Sequence, residues 1–379
     1  MDLDIYLDNS ATTPLCEEAK EAMLQAVTSC YGNPSAVHGK GIEARRQIEQ
    51  ARAAVASVMG AAPEEVYFSH SGTLANNTAV IGAALAREKQ GKRIVTTATE
   101  HPSVANAMDA LERRGFEVIR LSPGPDGAFD PMELLEALNR QTVLVSAMLV
   151  NNELGFVNPV ETIAQAVRRA GAPALIHVDA IQGYGKLPFK VKTLGADLLT
   201  VSGHKIHGPK GVGALYVKKG VHIRSVVYGG GQENGLFSGT ENVPGILGFG
   251  AAAKALGSVG DHLAKVRARR DDLLSMLAAN PAVKINSPKN ALPYIVNLSV
   301  PGVPSQVLIN YLSQRGIYVS AGSACKKGHR SDVLVKMGLP PARIDSAVRV
   351  SLSRLTTAEE LRTFAHALEA AVRELRVKM

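Results

Sequence analysis

The sequence has no tryptophan, and its phenylalanines and tyrosines bring the aromatic content to only 4%. Platforms on which nucleobases stack are therefore poorly supplied, which argues against nucleic acid as a direct partner. No apolar run reaches the roughly 18 residues of a membrane span, so no membrane role is expected. The opening MDLDIYLDNSATTP carries acids where a secretory signal carries lysines, and the expected location is cytoplasmic. Cysteine is scarce: Cys16, Cys30 and Cys325 supply neither a disulfide framework nor a C-x-x-C metal pattern. Cys16 and Cys30 read as inert filler, whereas Cys325 has surroundings that bear on its chemistry. There is no internal repeat and no low-complexity tract. The excess of 42 basic over 34 acidic residues is spread along helical patterns and interleaved with acids, as on a solvated face.

What is present is the composition of a globular protein, with 46% hydrophobic residues over a length of 379. From about residue 60 to 217, short β-branched runs alternate with helical patterns, the mark of β-α units around a mainly parallel sheet. Strands are expected at 93–97, 116–121, 142–150, 174–179, 197–202 and 213–217. Val104, Ala107, Met108 and Leu111 share one helical face, and Gly115 stops that helix. Upstream, Ile48, Ala51, Val55 and Val58 mark a helix over 40–59, with Gly60 at its C-terminus. Beyond residue 257 the expected order is helix 259–279, strand 294–300, helix 304–315, strand 317–320, helix 331–337, strand 347–352 and helix 357–375. This second part reads as a smaller α+β unit.

Open α/β sheets bind ligands at the carboxyl ends of their strands. ALIHVDAIQ ends a strand at Asp179, with Gln182 three residues on, and SGHK ends the next at Lys205. An acid and an amine at neighbouring strand ends are what a pyridoxal-phosphate site needs: the amine for a Schiff base, the acid to keep the pyridine nitrogen protonated. The same pair taken alone also describes an ordinary ion pair. Ser71, Gly72 and Thr73 follow the apolar VYF and precede a helix over about 74–88, so its N-terminus offers N–H groups and hydroxyls to a phosphate, or these residues are simple caps. His204 and His207 are spaced three apart with no third ligand nearby, so no metal is expected.

Together these segments resemble the cysteine desulfurase family, relatives of the class V aminotransferases. The resemblance runs through YLDNSATTP at 6–14, GNPSAVH at 32–38, TEH at 99–101, LVNNELG at 149–155, HVDAIQ at 177–182, SGHKIHGPKG at 202–211, GGGQENGLFSGTEN at 229–242, GSAC at 322–325 and VRVSLSRLTT at 348–357. It implies the fold type I architecture of pyridoxal-phosphate-dependent transferases: α/β, with a mainly parallel seven-stranded sheet in a large domain at about 16–256. Residues 1–15 with 257–379 would form a small α+β domain that carries Cys325 on a loop the family leaves mobile.

Carried over residue by residue, the resemblance gives Lys205 the Schiff base, Asp179 the pyridine nitrogen and Gln182 the phenolic oxygen. His101 would stack on the ring and move protons. Gly72, Thr73, Ser202 and His204 would hold the phosphate, and Thr240 would reach a phosphate across a homodimer interface. Asn152 and Arg349 would bind the substrate carboxylate, with Asn33 bordering that pocket. Cys325 would be the nucleophile that takes sulfur from L-cysteine, leaving L-alanine and a persulfide for an acceptor protein such as an iron–sulfur scaffold or a tRNA-thiolation enzyme. Lys326, Lys327, His329 and Arg330 surround that thiol with positive charge, which favours thiolate or marks a solvated loop.

Selenocysteine lyase, aminotransferase and β-lyase chemistry share the scaffold. A sulfur-relay protein without turnover is the alternative of another class. Four places depart from the family's usual pattern. Ser71 stands where a glycine is common, and the stretch between Cys325 and Val333 is about two residues shorter than in many relatives. Phe237 stands where an arginine usually precedes Ser-Gly-Thr, and Leu74 and Ala75 stand where Glu-Ser is usual.

Overall fold

The computed structural model describes residues 4–321 and 330–376. Seven strands form the main sheet in the order Val66–Ser69, Gly213–Val217, Leu198–Ser202, Leu175–Asp179, Thr142–Met148, Arg93–Thr97 and Glu117–Leu121. Six run in one direction, and only Gly213–Val217 runs against its two neighbours. The strands Thr142–Met148, Leu175–Asp179 and Leu198–Ser202 are buried along their whole length, as central strands covered on both faces must be. Each expected strand of this region is present within two residues of its bounds. The apolar VYF is itself a strand, Val66–Ser69, which the alternation did not single out.

The helices that cover the sheet follow the apolar spacing. Val104, Ala107, Met108 and Leu111 are all buried on the helix Pro102–Glu112. On Gly39–Met59, Ile48, Ala51 and Val55 are buried, and Gly60 ends the helix at φ +66°, a left-handed conformation that costs glycine nothing.

A second, antiparallel sheet has the order Ala347–Ser351, Ile295–Ser299, Lys284–Ile285, flanked by the helices Val259–Ala278, Ser305–Ser313 and Ala358–Arg376. Its ties to the chain's start matter for the site. Ile5–Tyr6 pairs in parallel with Ile317–Tyr318, and Asn9 donates from Nδ2 to the Ser351 carbonyl at 2.9 Å. The strand expected at 317–320 is thus shorter, Ile317–Tyr318, with Ser320 bridged to Arg349. Among the described residues no single helix is long and apolar enough to cross a membrane.

Candidate active site

The aligned strands deliver their carboxyl ends to one edge of the sheet, and the chemistry-bearing residues lie just past those ends. Asp179 closes the strand Leu175–Asp179, Lys205 ends the short turn Gly203–Lys205 that follows Leu198–Ser202, and His101 caps the helix Pro102–Glu112 beyond Arg93–Thr97. Asp179 is buried. Its Oδ1 accepts from the Ile181 N–H at 3.0 Å and its Oδ2 from Asn76 Nδ2 at 2.7 Å. Burial pushes its carboxyl above the usual range, while those two N–H groups and the nearby His101 and Lys205 favour the charge. Burial also lowers the His101 imidazole, an effect Asp179 opposes and Lys205 assists.

The Lys205 amine is held by two backbone carbonyls of the N-terminal segment, Ser10 at 2.6 Å and Ala11 at 2.8 Å. Burial first, then Arg349, brings its pKa down to about 8, against the pull of Asp8 and Asp179. A lysine so depressed has a substantial neutral, nucleophilic fraction near neutrality. Gln182 shares the Ser10 carbonyl, donating from Nε2 at 2.9 Å, and its Oε1 accepts from Lys186 Nζ at 3.3 Å. Lys186 is a second buried amine, lowered to about 7 mainly by burial, and it lines the same small cavity as Lys205.

At the start of the helix Gly72–Arg87, the Ser71 hydroxyl accepts from the Leu74 N–H at 3.1 Å. The Gly72 and Thr73 N–H groups of the first turn lack intrahelical acceptors. A side chain at Gly72 would meet Ile181 Cδ1 at 2.5 Å, so glycine lets this helix end sit against the turn that carries Asp179. Ser202 is buried at its strand end, and burial brings the His204 imidazole down to about 3, a neutral ring whose Nδ1 lies 3.3 Å from Thr12 Oγ1. His207 is committed elsewhere, its Nδ1 donating to the Pro14 carbonyl at 3.0 Å. Among the described residues no cluster of His, Cys, Asp or Glu could hold a metal ion.

Arg349 is buried on the strand Ala347–Ser351. It donates to the Asn152 carbonyl at 2.8 Å, to Asp8 Oδ1 at 2.8 Å and to Ser320 Oγ at 3.0 Å. Asn152 and Arg349 therefore meet, through the Asn152 backbone carbonyl. Two expected residues stay outside the cluster. Asn33 is exposed, with its Oδ1 accepting from the Ser35 N–H in its own loop, and Thr240 is exposed. Cys325 lies outside the described residues. Cys16 and Cys30 are buried, and burial raises both thiols, consistent with filler.

The structure accounts for the departures from the family pattern. Ala75 and Phe237 are buried in one apolar cluster and Leu74 packs against it, so apolar residues stand together where polar ones are usual. Residues the sequence did not single out include Asn76, Ser103, Asp8, Glu100 and Lys186. Glu100 is buried, with Oε1 accepting from Thr97 Oγ1 at 2.6 Å and the Met148 N–H at 2.9 Å, and Oε2 without a partner. Burial raises its carboxyl to about 8.

That value carries a signed prediction. A raised folded pKa means that the native state holds a proton the unfolded chain has lost, so the stability Glu100 contributes is complete below about 4.5 and is lost as pH rises through about 8. Glu100→Gln does not titrate. Its stability relative to the unmutated protein should therefore rise between pH 5 and 8 by as much as about 1.4 kcal/mol per pH unit. Urea unfolding of both proteins across that range measures it, and a flat difference would show that Glu100 is ionised in the native state.

The donor set fits pyridoxal phosphate: a buried acid, an amine of lowered pKa, an imidazole between them in charge, and a helix start for an anion. Comparison with known proteins points the same way. The family described as Aminotransferase class-V matches residues 5–364. The chain is 41% identical to Cysteine desulfurase 2 of Trichormus variabilis, over 98% of this chain and 94% of that protein. It is 37% identical to Cysteine desulfurase IscS of Dictyoglomus turgidum, over 99% and 96%. Among solved structures, one described as a NifS-like protein covers 98% of this chain and 100% of its own, with a TM-score of 0.92 at 37% identity. Another, SspA in complex with cysteine, covers 93% and 99%, with a TM-score of 0.82 at 32% identity.

Proposed function

Because the chain belongs to the class V aminotransferases and, among them, to the cysteine desulfurases, we propose that it uses pyridoxal phosphate to move sulfur from L-cysteine onto Cys325. The observation that carries this reading is the placement of Asp179, Lys205 and His101 just past the carboxyl ends of strands at one edge of the sheet, with Arg349 and Asn152 alongside.

When bound, pyridoxal phosphate supplies an electron sink for the substrate's α-carbon. The chain's own residues do the rest. Asp179, whose two N–H donors favour its charge, would hold the pyridine nitrogen, Gln182 the phenolic oxygen, and Gly72, Thr73, Ser202 and His204 the phosphate. Arg349 and Asn152 fix the carboxylate of cysteine. The Lys205 amine, neutral in part near pH 8, would hold the cofactor covalently and move protons at the substrate carbons. His101 offers a second proton-transfer group. The Cys325 thiolate attacks the substrate sulfur: the new S–S bond forms, the carbon–sulfur bond breaks, and its electron pair stays on the carbon, which takes a proton. Alanine and a Cys325 persulfide result, with no external oxidant.

The same reading includes a homodimer in which the exposed Thr240 serves the partner's phosphate, and a division into a body at 16–256 and one formed by 1–15 with 257–379, supported by the seven-stranded sheet lying in the first and the three-stranded sheet and the Ile5–Tyr6 and Ile317–Tyr318 pair in the second. It also includes a cytoplasmic location and a protein acceptor, an iron–sulfur scaffold or tRNA-thiolation enzyme.

Incubation with cysteine and a reductant, with alanine and sulfide measured together, tests the activity. Equal yields are expected. Pyruvate or a transaminated product in place of alanine would return the chain to lyase or aminotransferase chemistry.

A further inference from the structure

We propose that Asn76 is a positioning residue that serves both ends of the site at once, charging Asp179 directly and fixing the proton of His101 on Nε2 through the Ser103 hydroxyl. Asn76 is fully buried in the helix Gly72–Arg87, and its amide nitrogen donates twice: to Asp179 Oδ2 at 2.7 Å and to Ser103 Oγ at 2.9 Å. The amide cannot be turned the other way, because its oxygen would then face a carboxylate that only accepts. Its Oδ1 is buried without a partner, so the side chain is placed for its donors at the expense of its acceptor.

The second donation biases what Ser103 does. Oγ keeps a second lone pair, but an N–H already on it polarises the O–H toward donation, and the hydroxyl proton turns toward His101 Nδ1, 2.8 Å away. The Ser103 backbone N–H also points at Nδ1, at 3.1 Å. A ring nitrogen that receives two donors carries no proton, so the neutral imidazole holds its proton on Nε2. Burial, which disfavours the imidazolium, acts in the same sense. A histidine wired this way presents Nε2 alone for proton transfer. The part of the proposal that concerns turnover rests on the roles given above to Asp179 and His101; the tautomer does not.

Nitrogen-15 spectroscopy of the full-length protein with labelled histidine, cofactor-loaded and cofactor-free, reads the tautomer, with His101 assigned by the signal lost in His101→Gln. In the unmutated protein at pH 7, Nδ1 should be unprotonated. In Asn76→Ala the Ser103 hydroxyl loses that polarisation and accepts more readily, and a population protonated on Nδ1 should emerge. In Ser103→Ala that population should not emerge, since the backbone donor remains and no acceptor faces Nδ1. The double variant should match Ser103→Ala. General loosening of the site would move both single variants alike. A proton on Nδ1 in the unmutated protein, or the same spectrum for both single variants, would overturn the wiring. In the loaded enzyme Asn76→Ala should lower kcat by about tenfold to a hundredfold with little change in KM for cysteine. A changed tautomer with unchanged kcat would refute the positioning role while leaving the wiring and the desulfurase reading intact.

Discussion

Alanine release from cysteine falls by about a thousandfold or more in Cys325→Ala, the scale on which loss of a nucleophile is usually felt, while cysteine still binds. The two halves of the chemistry separate because they use different groups. In the proposed mechanism binding depends on Arg349, held by Asn152, Asp8 and Ser320, and proton removal depends on Lys205, whose amine stands on the Ser10 and Ala11 carbonyls. Neither involves a thiol. In the unmutated protein, cysteine should add one sulfur atom to the peptide that contains Cys325, a mass change reversed by reductant. Buried Cys16 and Cys30, with their raised thiols, should remain unmodified. Undiminished alanine formation by Cys325→Ala, or a persulfide on Cys16 or Cys30 alone, would remove Cys325 from the mechanism.

Lys205→Ala should abolish both turnover and the covalent link between cofactor and protein, again by about a thousandfold or more in rate. The outcome is informative because the site holds another amine. Lys186 lines the same cavity and is depressed to about 7, but its Nζ is engaged with Gln182 Oε1 and lies over the Tyr294 ring. Borohydride treatment of the loaded protein, followed by peptide mapping, should therefore trap cofactor on the Lys205 peptide in the unmutated protein and nowhere in Lys205→Ala. An adduct on the Lys186 peptide of the unmutated protein would transfer the anchor to Lys186.

The strands and the residues at their ends were legible because a buried parallel strand leaves a continuous apolar run, and a polar residue directly after such a run has few structural reasons to be there. Asp179 and Lys205 stood out on that ground. Asn76 carried a fainter signal. It falls on the stripe of Gly72, Ala79, Val80 and Ala83, all buried, where a polar side chain must find a partner, yet the partners come from a helix and a strand 27 and 103 residues away, respectively. The Ser10 and Ala11 carbonyls were beyond any such reading, since backbone groups have no sequence signature and their role depends on where the chain's start is laid. Glu100 was visible only as part of TEH, because nothing in the spelling distinguishes a carboxyl buried against Met148 from one in water. The clustering of Phe237 with Ala75 and Leu74 joins positions 162 or 163 apart, which one sequence cannot link.

The tie between the first and last parts of the chain has a consequence for synthesis. Lys205 finds its two carbonyls on Ser10 and Ala11, Ser10 and the preceding Asn9 are anchored to Ser351, and Asp8 is held by Arg349 at a separation of 341 residues. Contacts so distant along the chain close slowly, and here they cannot close at all until the strand Ala347–Ser351 has been made. A nascent chain can complete the seven-stranded sheet, whose last strand ends at Val217, while its lysine still has no seat. If Lys205 is the cofactor's anchor, its seat is complete only once that late strand is in place. A fragment ending before Ala347 should form much of the sheet and yet leave the lysine without the seat that prepares it.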